Sequence, residues 1–218
     1  ALGALEVVLR VPRGSLARTL PGSRRQPAPD APPPVGMDQI RSEDQSGTLD
    51  ELVADIGLEW GRDIELISSH DLVMLDDDRR GGRHVVRQVL RSLHERLDRF
   101  PVSYTVSDEG ASGSINGLVN CHVGRTARTR SEGAVVAEML LDAPLRLGDS
   151  VSVEFELVSR NIPVAYDSFD RGVLRPIREV YIEVEFQPHD LPAWVSEWTS
   201  IDGQVNKRPL RLQGHIAG

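Results

Sequence analysis

The stretch SVSVEFEL at residues 150–157 alternates polar and apolar side chains at every second position. This period places its apolar residues on one face of an extended chain, so it predicts a half-buried antiparallel β-strand. The stretch EVYIEVEF at residues 179–186 has the same period, and its other face carries Glu179, Glu183 and Glu185. We interpret these carboxylates as a solvated sheet face rather than a hydrolytic pair, because charges at this spacing also discourage edge-to-edge pairing.

Further strands are expected on both sides of these two stretches. Turn residues at 147–149 and at 188–190 separate the apolar segments. The additional predicted strands are Ile64–Leu75 as one bent or two short strands, residues 102–106, 115–123 and 134–141, and a last strand marked by Trp194 and Trp198. Residues 110–117, GASGSING, are interpreted as a hairpin loop, because they lack the lysine of a phosphate-binding loop and lead into a strand.

Two segments have helical spacing. The stronger one covers residues 83–100, where six apolar residues fall on one helical face and Pro101 follows. The weaker one covers residues 48–56, where Thr48 and Glu51 have the spacing of a capping box. The sequence therefore predicts an α+β fold that is mainly β, either an antiparallel β-sandwich or a partly closed barrel, with one major helix.

The first 46 residues differ in character from the rest of the chain. Residues 1–20 contain two short helical patterns separated by Pro12 and Gly14. Helices this short are marginal when isolated, so we expect them to end a module that begins before residue 1. Residues 21–46 are rich in proline and polar side chains, which predicts a semi-rigid linker. The remaining residues, 47–218, are then the β-rich domain.

Two parts of the chain are similar to segments of one protein family. Residues 2–20 have the pattern L-x-x-L-E-x-x-L-x-x-P-x-G-S-L-A-x-x-L. In the β-rich part, the similar segments are His70 and Asp71, residues 83–100, LVNCHVGR at 118–125, and residues 175–179 leading into YIEVEF. The first pattern resembles the last two helices of a xenobiotic-response-element, lambda-repressor-like helix-turn-helix domain. The β-rich part resembles the C-terminal domain of such transcription regulators in actinobacteria.

This resemblance implies a DNA-binding regulator without catalytic activity. The DNA-reading helix would lie upstream of Ala1, residues 1–20 would end the helix-turn-helix domain, and residues 47–218 would form a regulatory or oligomerisation domain. The resemblance also implies a homodimer, a small-molecule effector of unknown identity, and no cofactor. A ligand-binding or protein-interaction β-sandwich without DNA binding stays open as the alternative.

The charge of the chain is unevenly distributed. The net charge is -8, but residues 1–29 hold five arginines and one glutamate, a net charge of +4. Residues 30–218 therefore carry -12, which argues against DNA binding by this part because phosphate contacts need clustered positive charge. In the basic segment, Arg10, Arg13 and Arg18 are candidate phosphate contacts. The alternative interpretation is a solvated arginine face.

Two further pairs of residues are candidates for binding. Arg125 and Arg128 follow a predicted strand and could contact an anionic effector, although a turn with solvated arginines has the same pattern. Trp194 and Trp198 are candidates for an oligomer interface, because aromatic area beside a polar tail is typical of interface anchors.

The remaining reactive residue types predict neither a metal site nor a catalytic site. The six histidines lack the spacing of metal ligands and are interpreted as surface or loop residues. Neighbours in a strand point to opposite faces, so Cys121 cannot meet His122 and is interpreted as a buried, inert thiol. A single cysteine excludes an internal disulfide, and no apolar run approaches the roughly 20 residues of a membrane span. Because Ala1 begins no signal-peptide pattern, we expect a cytoplasmic protein that does not bind membranes.

Overall fold

The computed structural model describes residues 43–59, 63–105, 112–128, 134–161, 165–169, 171, 177–201 and 204–213. All of these residues belong to the unit Gly36–Gly218. The predictions for residues 1–20 and for most of the linker, including the candidate contacts Arg10, Arg13 and Arg18, lie outside the described residues.

One helix and ten strands make up the described part of the chain. The helix is α1, Glu43–Asp55. The strands are β1 Ile64–Leu75, β2 Gly82–Ser92, β3 Leu97–Thr105, β4 Ser112–Val119, β5 Cys121–Arg128, β6 Ala134–Leu145, β7 Ser150–Arg160, β8 Glu179–Glu185, β9 Val195–Ile201 and β10 Gln204–Leu210. The mainly β fold class predicted from the sequence is confirmed. No helix among these residues is long and apolar enough to cross a membrane.

Two of the sheets pack face to face as a sandwich. The larger sheet has the strand order β4-β7-β2-β1-β8, and the smaller one has the order β3-β6-β5. Neighbouring strands are antiparallel except for β1 and β8, which are parallel. The shared core joins Leu90, Val153 and Phe155 of the larger sheet to Phe100 and Met139 of the smaller one. β9 and β10 form a separate two-stranded sheet.

The helix predicted at residues 83–100 is wrong, because these residues form most of β2 and the first four residues of β3. In β2, the side chains of Val86, Gln88, Leu90 and Ser92 alternate onto the buried face. Two of these four residues are polar, so the hydrophobic period of two is hidden in the sequence and the remaining valines and leucines imitate a helical stripe. The valines are β-branched and fit a strand better than a helix.

The strand predicted at residues 115–123 is two strands that meet at a corner. Asn120 lies between β4 and β5 with a left-handed φ of 57°, a conformation that asparagine tolerates. Its side-chain amide donates a hydrogen bond of 2.7 Å to the Ser152 carbonyl oxygen. A side chain at Gly117 would collide with the Cys121 carbonyl, so the chain can turn this tightly only at a glycine. The corner moves the chain from the larger sheet to the smaller one.

Two other predicted segments differ in extent from the structure. The interpretation of residues 110–117 as a hairpin loop is wrong for residues 112–117, which belong to β4. The last strand marked by Trp194 and Trp198 is the β9–β10 pair, with Trp198 in β9 and Trp194 just before it. The turns at residues 147–149 and 188–190 lie where they were predicted.

Helix α1 covers the outer face of the smaller sheet. Leu49, Leu52, Val53 and Ile56 pack against Val136 of β6 in a second apolar cluster. The helix predicted at residues 48–56 is confirmed, although it begins at Glu43, inside the predicted linker. The described part of the chain therefore has three layers, with α1 outside the sandwich.

The end of α1 is fixed by a glycine cap. Gly57 has a φ of +68°, and its amide donates to the Ala54 carbonyl oxygen at 2.8 Å. The Leu58 amide donates to the Val53 carbonyl oxygen at 3.0 Å, and the Leu58 side chain joins the apolar cluster under the helix. These two bonds and the apolar contact form a Schellman motif, which satisfies the last helical carbonyls.

Candidate functional site

A buried carboxylate lies beneath the end of α1. Glu138 of β6 is 2% exposed and accepts hydrogen bonds from the Arg125 guanidinium at 3.0 and 2.9 Å and from the Arg125 backbone amide at 3.0 Å. Arg99 of β3 donates a further bond of 2.8 Å. The bonds from Arg125 and Arg99 outweigh the effect of burial and lower the pKa of Glu138 to about 2. Glu138 is therefore ionised, and its charge is neutralised within the domain.

The local sequence of β5 explains this geometry. The register between β5 and β6 shifts between Val123 and Thr126, which leaves Gly124 and Arg125 in a bulge. A Cβ atom on Gly124 would lie 2.5 Å from the Glu138 Oε2 atom, so the carboxylate can approach this backbone only at a glycine. A Cβ atom placed on Gly57 would lie 3.5 Å from the Arg125 Nη1 atom, which puts the guanidinium at the C-terminal end of α1. A cation at this end also complements the helix dipole.

The two candidate effector arginines are three residues apart and lie on opposite faces of the smaller sheet, and the bulge decides which of them faces the sandwich interior. Arg125 lies on the outer face with Glu138, whereas Arg128 lines a cleft of about 230 Å³ on the inner face. Ile115, Val123 and Val135 are among the apolar residues of this cleft. The two arginines predicted to contact an effector therefore lie in two different environments. The charge of Arg125 is already paired with Glu138, whereas Arg128 lines the cleft.

Tyr104 stands beside Arg128 at the same cleft. Tyr104 of β3 and Arg128 of β5 are both in register with Val135 of β6, so the three residues form one row across the sheet. Burial raises the pKa of the Tyr104 hydroxyl, and the charge and hydrogen bond of Arg128 partly offset this effect. The row therefore places a cation and a phenol next to an apolar side chain.

A second buried polar cluster lies on the inner face of the larger sheet. Asp71 of β1 is 0% exposed, the Ser69 hydroxyl donates to its Oδ2 atom at 2.9 Å, and the His84 Nε2 atom lies 2.8 Å from its Oδ1 atom. The Arg171 Nε atom is 3.9 Å from Oδ2, and the His84 ring contacts Phe169 edge to face with centroids 5.0 Å apart. Burial opposes ionisation of Asp71, but the His84 hydrogen bond, Arg171 and Ser69 outweigh it and lower the pKa of Asp71.

This cluster has the residue types of a catalytic triad but not its order. The carboxylate of Asp71 lies between Ser69 and His84, whereas a nucleophilic serine needs the imidazole next to its hydroxyl. The cluster is therefore not arranged for a serine nucleophile, and its polar groups satisfy one another within the domain. The interpretation of His84 as an ordinary surface or loop residue is wrong, because its side chain is 16% exposed and holds a fully buried carboxylate.

A β-bulge decides which residues of β1 are buried, and no pattern in the sequence marks it. The register between β1 and β2 shifts between Leu66 and Ser68. After this shift Ser69 and Asp71 face the interior, as Val73 and Leu75 do. The sequence predicted the strand Ile64–Leu75. Because it gave no sign of the bulge, its polar residues were interpreted as a bend or break in the strand.

Cys121 and the exposed histidines fit the predictions made for them. His70 is only partly exposed, with its Nε2 atom buried 3.6 Å from the Glu183 carboxylate, and His215 lies outside the described residues. Cys121 is buried, its thiol donates to the Glu154 carbonyl oxygen at 3.4 Å, and burial raises the pKa of the thiol. His122 and His189 are exposed. Within the described ranges, no three histidine, cysteine, aspartate or glutamate residues gather as a metal site would require.

The two candidate interface tryptophans lie on the β9–β10 pair and are exposed. Trp194 is 71% and Trp198 49% exposed. Lys207 of β10 pairs with Trp198 across the strands, and its Nζ atom lies 5.4 Å from the centroid of the Trp194 ring. A two-stranded sheet is marginally stable in water, so aromatic area of this size favours contact with a further surface.

Comparisons with known proteins identify no family. No protein-family model matches the chain. No curated protein matches it either. An M1 zinc metallopeptidase from Deinococcus radiodurans with a bound Tyr-Ser-Ala substrate is similar in structure, with a TM-score of 0.36 and 14% identity over 70% of this chain and 40% of that chain. Native leukotriene A4 hydrolase from Saccharomyces cerevisiae has a TM-score of 0.28 and 12% identity over 45% of this chain and 15% of that chain. This chain spans less than half of either protein, and similarities this weak carry no argument about activity.

Proposed function

We propose that this chain is part of a non-enzymatic bacterial transcription regulator. DNA is bound by a helix-turn-helix module that lies mostly before Ala1, and the β-sandwich holds two copies together or senses an effector. The observation that carries the proposal is the helix-turn-helix pattern of residues 2–20 within a segment, residues 1–29, of net charge +4, followed by residues 30–218 with a net charge of -12. A basic segment beside an acidic domain suits a division between DNA contact and regulation.

The position of α1 supports the assignment of DNA contact to the basic segment and of regulation to the β-rich domain. The helix joins the residues that precede it to the sandwich through a buried apolar cluster and a capped C-terminus. The Arg125 guanidinium connects the end of the helix to Glu138 in the sheet beneath. A change in the sandwich therefore has a direct physical route to α1, the first described element after the predicted linker.

The polar clusters of the domain are satisfied internally. Asp71 is held by Ser69 and His84, and Glu138 by two arginines. Buried carboxylates whose partners lie within the domain stabilise or specify a fold, whereas a catalytic carboxylate faces a substrate pocket. This arrangement supports a regulatory domain over an enzyme.

The regulator needs two copies held in a fixed relation. Repressor-like modules read two half-sites about one helical turn apart, and a proline-rich linker cannot fix that distance. We place the contact between copies on the β9–β10 pair, where Trp194 and Trp198 are exposed.

The experiment that tests the DNA contacts compares two proteins on the same DNA. Genomic fragments from the source organism are incubated at low salt with the full-length regulator and with residues 43–218, and the mobility of the DNA is measured. We expect the full-length protein to retard specific fragments and the shorter protein to retard none, because its acidic surface repels phosphate. Tight DNA binding by residues 43–218 would contradict the proposal, because it would show that the β-rich domain itself contacts DNA.

A protein-interaction β-sandwich without DNA binding is the second candidate. The exposed tryptophans of the β9–β10 pair favour it as much as they favour a dimer. Two measurements distinguish the candidates: a protein that is a monomer in light scattering and that leaves all genomic fragments unshifted supports the interaction domain.

A further inference from the structure

The cleft between the two sheets has an apolar floor. Ile115 of β4 comes from the larger sheet, while Val123 of β5 and Val135 of β6 come from the smaller one. Ile115 and Val135 are buried, and Val123 packs against the core of the sandwich. The cleft is therefore an opening in the sandwich core, and burying an apolar group there removes it from water.

Most polar side chains of the cleft lie on the smaller sheet, while Ser114 of β4 lines the opposite side. Arg128 and Tyr104 flank Val135 in the same row of the smaller sheet, and Thr126 adds a hydroxyl on β5. The Arg128 side chain forms a hydrogen bond with the Tyr104 hydroxyl, which is a neutral group. The Arg125 guanidinium, in contrast, is bound to the Glu138 carboxylate. Arg128 and Tyr104 thus offer a positive charge and a hydroxyl donor to an anion.

The volume limits the size of a ligand. The cleft measures about 230 Å³, and a cavity of about 150 Å³ is known to hold benzene. A body of roughly ten non-hydrogen atoms therefore fits, which is smaller than most drug-like ligands. Phosphate is too polar for the apolar floor, and a cation would be repelled by Arg128.

We propose that this cleft binds a small carboxylic acid, with the carboxylate at Arg128 and Tyr104 and an apolar body on Ile115, Val123 and Val135. A planar guanidinium matches a carboxylate in geometry and charge. The β-domain alone supplies all the residues that would bind the acid. Only the further statement that the acid is the effector of a regulator rests on the proposed function.

The test uses benzoate and octanoate as probes of the intact chain, with benzyl alcohol as a probe of similar shape without charge. Amide chemical shifts are followed by two-dimensional NMR during each titration. We expect saturable shifts with one or both acids, confined to residues around the cleft, and no saturable shifts with benzyl alcohol. Arg128→Gln should weaken the binding roughly tenfold, because a charge-assisted hydrogen bond is lost. Tyr104→Phe, which removes only the hydroxyl, should weaken it less.

Arg146→Gln is the matched control. Arg146 is an exposed arginine just after the C-terminal end of β6, whereas Val135 and the cleft lie at the N-terminal end of that strand. It should leave the affinity unchanged. Absence of saturable shifts with both acids, equal binding of benzyl alcohol, or unchanged affinity in Arg128→Gln would each overturn the inference. These outcomes are independent of DNA, so they leave the proposed function to be judged by the DNA-binding experiment.

Discussion

The Arg125 guanidinium and the Glu138 carboxylate form a two-point contact, with 3.0 Å from Nε to Oε2 and 2.9 Å from Nη2 to Oε1. The Arg125 backbone amide donates a third bond to the same carboxylate, at 3.0 Å. Glu138 is buried in the sheet, and Arg125 reaches the end of α1 near Gly57. The contact therefore connects the helical layer to the sandwich.

Replacing the buried carboxylate should destabilise the domain. We expect Glu138→Gln to lower the free energy of unfolding by about 1–3 kcal/mol, since hydrogen bonds to charged groups are lost while the partly exposed arginines regain water. Urea denaturation measures this change. Glu65→Gln, which breaks the exposed pair with Arg91, is the control and should cost less than about 1 kcal/mol. Equal losses in the two variants would contradict a special role for Glu138.

The same carboxylate should make stability depend on acid pH. The pKa of Glu138 falls from 4.5 to about 2 in the folded protein. A lowered pKa stabilises the fold when the carboxylate is ionised, so the contribution is present above pH 4.5 and is lost as the pH falls towards 2. Between these values the wild type should lose more unfolding free energy than Glu138→Gln. Parallel curves for the two proteins in this range would show that Glu138 is not the group that titrates.

Gly124 should be needed for the close approach of Glu138. A methyl group at this position would lie 2.5 Å from Oε2, so we expect Gly124→Ala to cost about 1–3 kcal/mol of unfolding free energy. The cost should nearly vanish when Glu138 is also replaced by alanine, because the clashing carboxylate is gone. A double-mutant cycle measures this coupling. Additive losses would mean that the glycine is required for the backbone of β5 rather than for the carboxylate.

The fold class was predictable because two strands keep a clear period of two and a third is rich in apolar residues. In Ser150–Arg160 and Glu179–Glu185 the apolar residues alternate with polar ones, and in Ile64–Leu75 the apolar content was sufficient despite the polar residues. The Arg83 to Phe100 region was mispredicted because Gln88 and Ser92 occupy buried positions. Gln88 lies 3.5 Å from the Ser69 hydroxyl, so the buried polar cluster itself removes the hydrophobic signal of β2.

The candidate sites were less predictable than the fold, because they depend on bulges. Arg125 and Arg128 are three residues apart, so any regular strand would place them on opposite faces, but only the register shift of β5 decides which of them faces the cleft. Asp71 looks like a loop residue until the register shift of β1 turns it inwards. A shift of one residue reverses the face of every later side chain. The bulge of β1 has no signature in the residue types, whereas that of β5 has a single sequence signal, the isolated Gly124 within a strand.

Asp71 should be among the most sensitive positions of the domain. Removing a fully buried carboxylate leaves Ser69 and His84 without their partner, so we expect Asp71→Ala to lower the unfolding free energy by about 3–5 kcal/mol. Asp77→Ala, at an exposed residue just after β1, should have little effect. The thermal midpoint of both variants provides the comparison, and similar midpoints would count against the cluster.

The exposed aromatic area of the β9–β10 pair should hold two copies together. We expect light scattering to report a dimer at micromolar concentrations, and Trp198→Ala to raise its dissociation constant at least tenfold, since buried tryptophans often dominate interface energies. Leu147→Ala removes another exposed apolar side chain, in the turn between β6 and β7, and should leave the dimer intact. If the wild-type protein is a monomer, the β9–β10 pair does not hold two copies together, and this prediction is wrong.

Genome-wide mapping of the DNA bound by the full-length protein in its own cells tests the central claim most directly. The account predicts a limited set of enriched sites that share a sequence with two related half-sites about one helical turn apart. Enrichment no greater than that of a strain without the tagged protein would contradict the assignment as a transcription regulator.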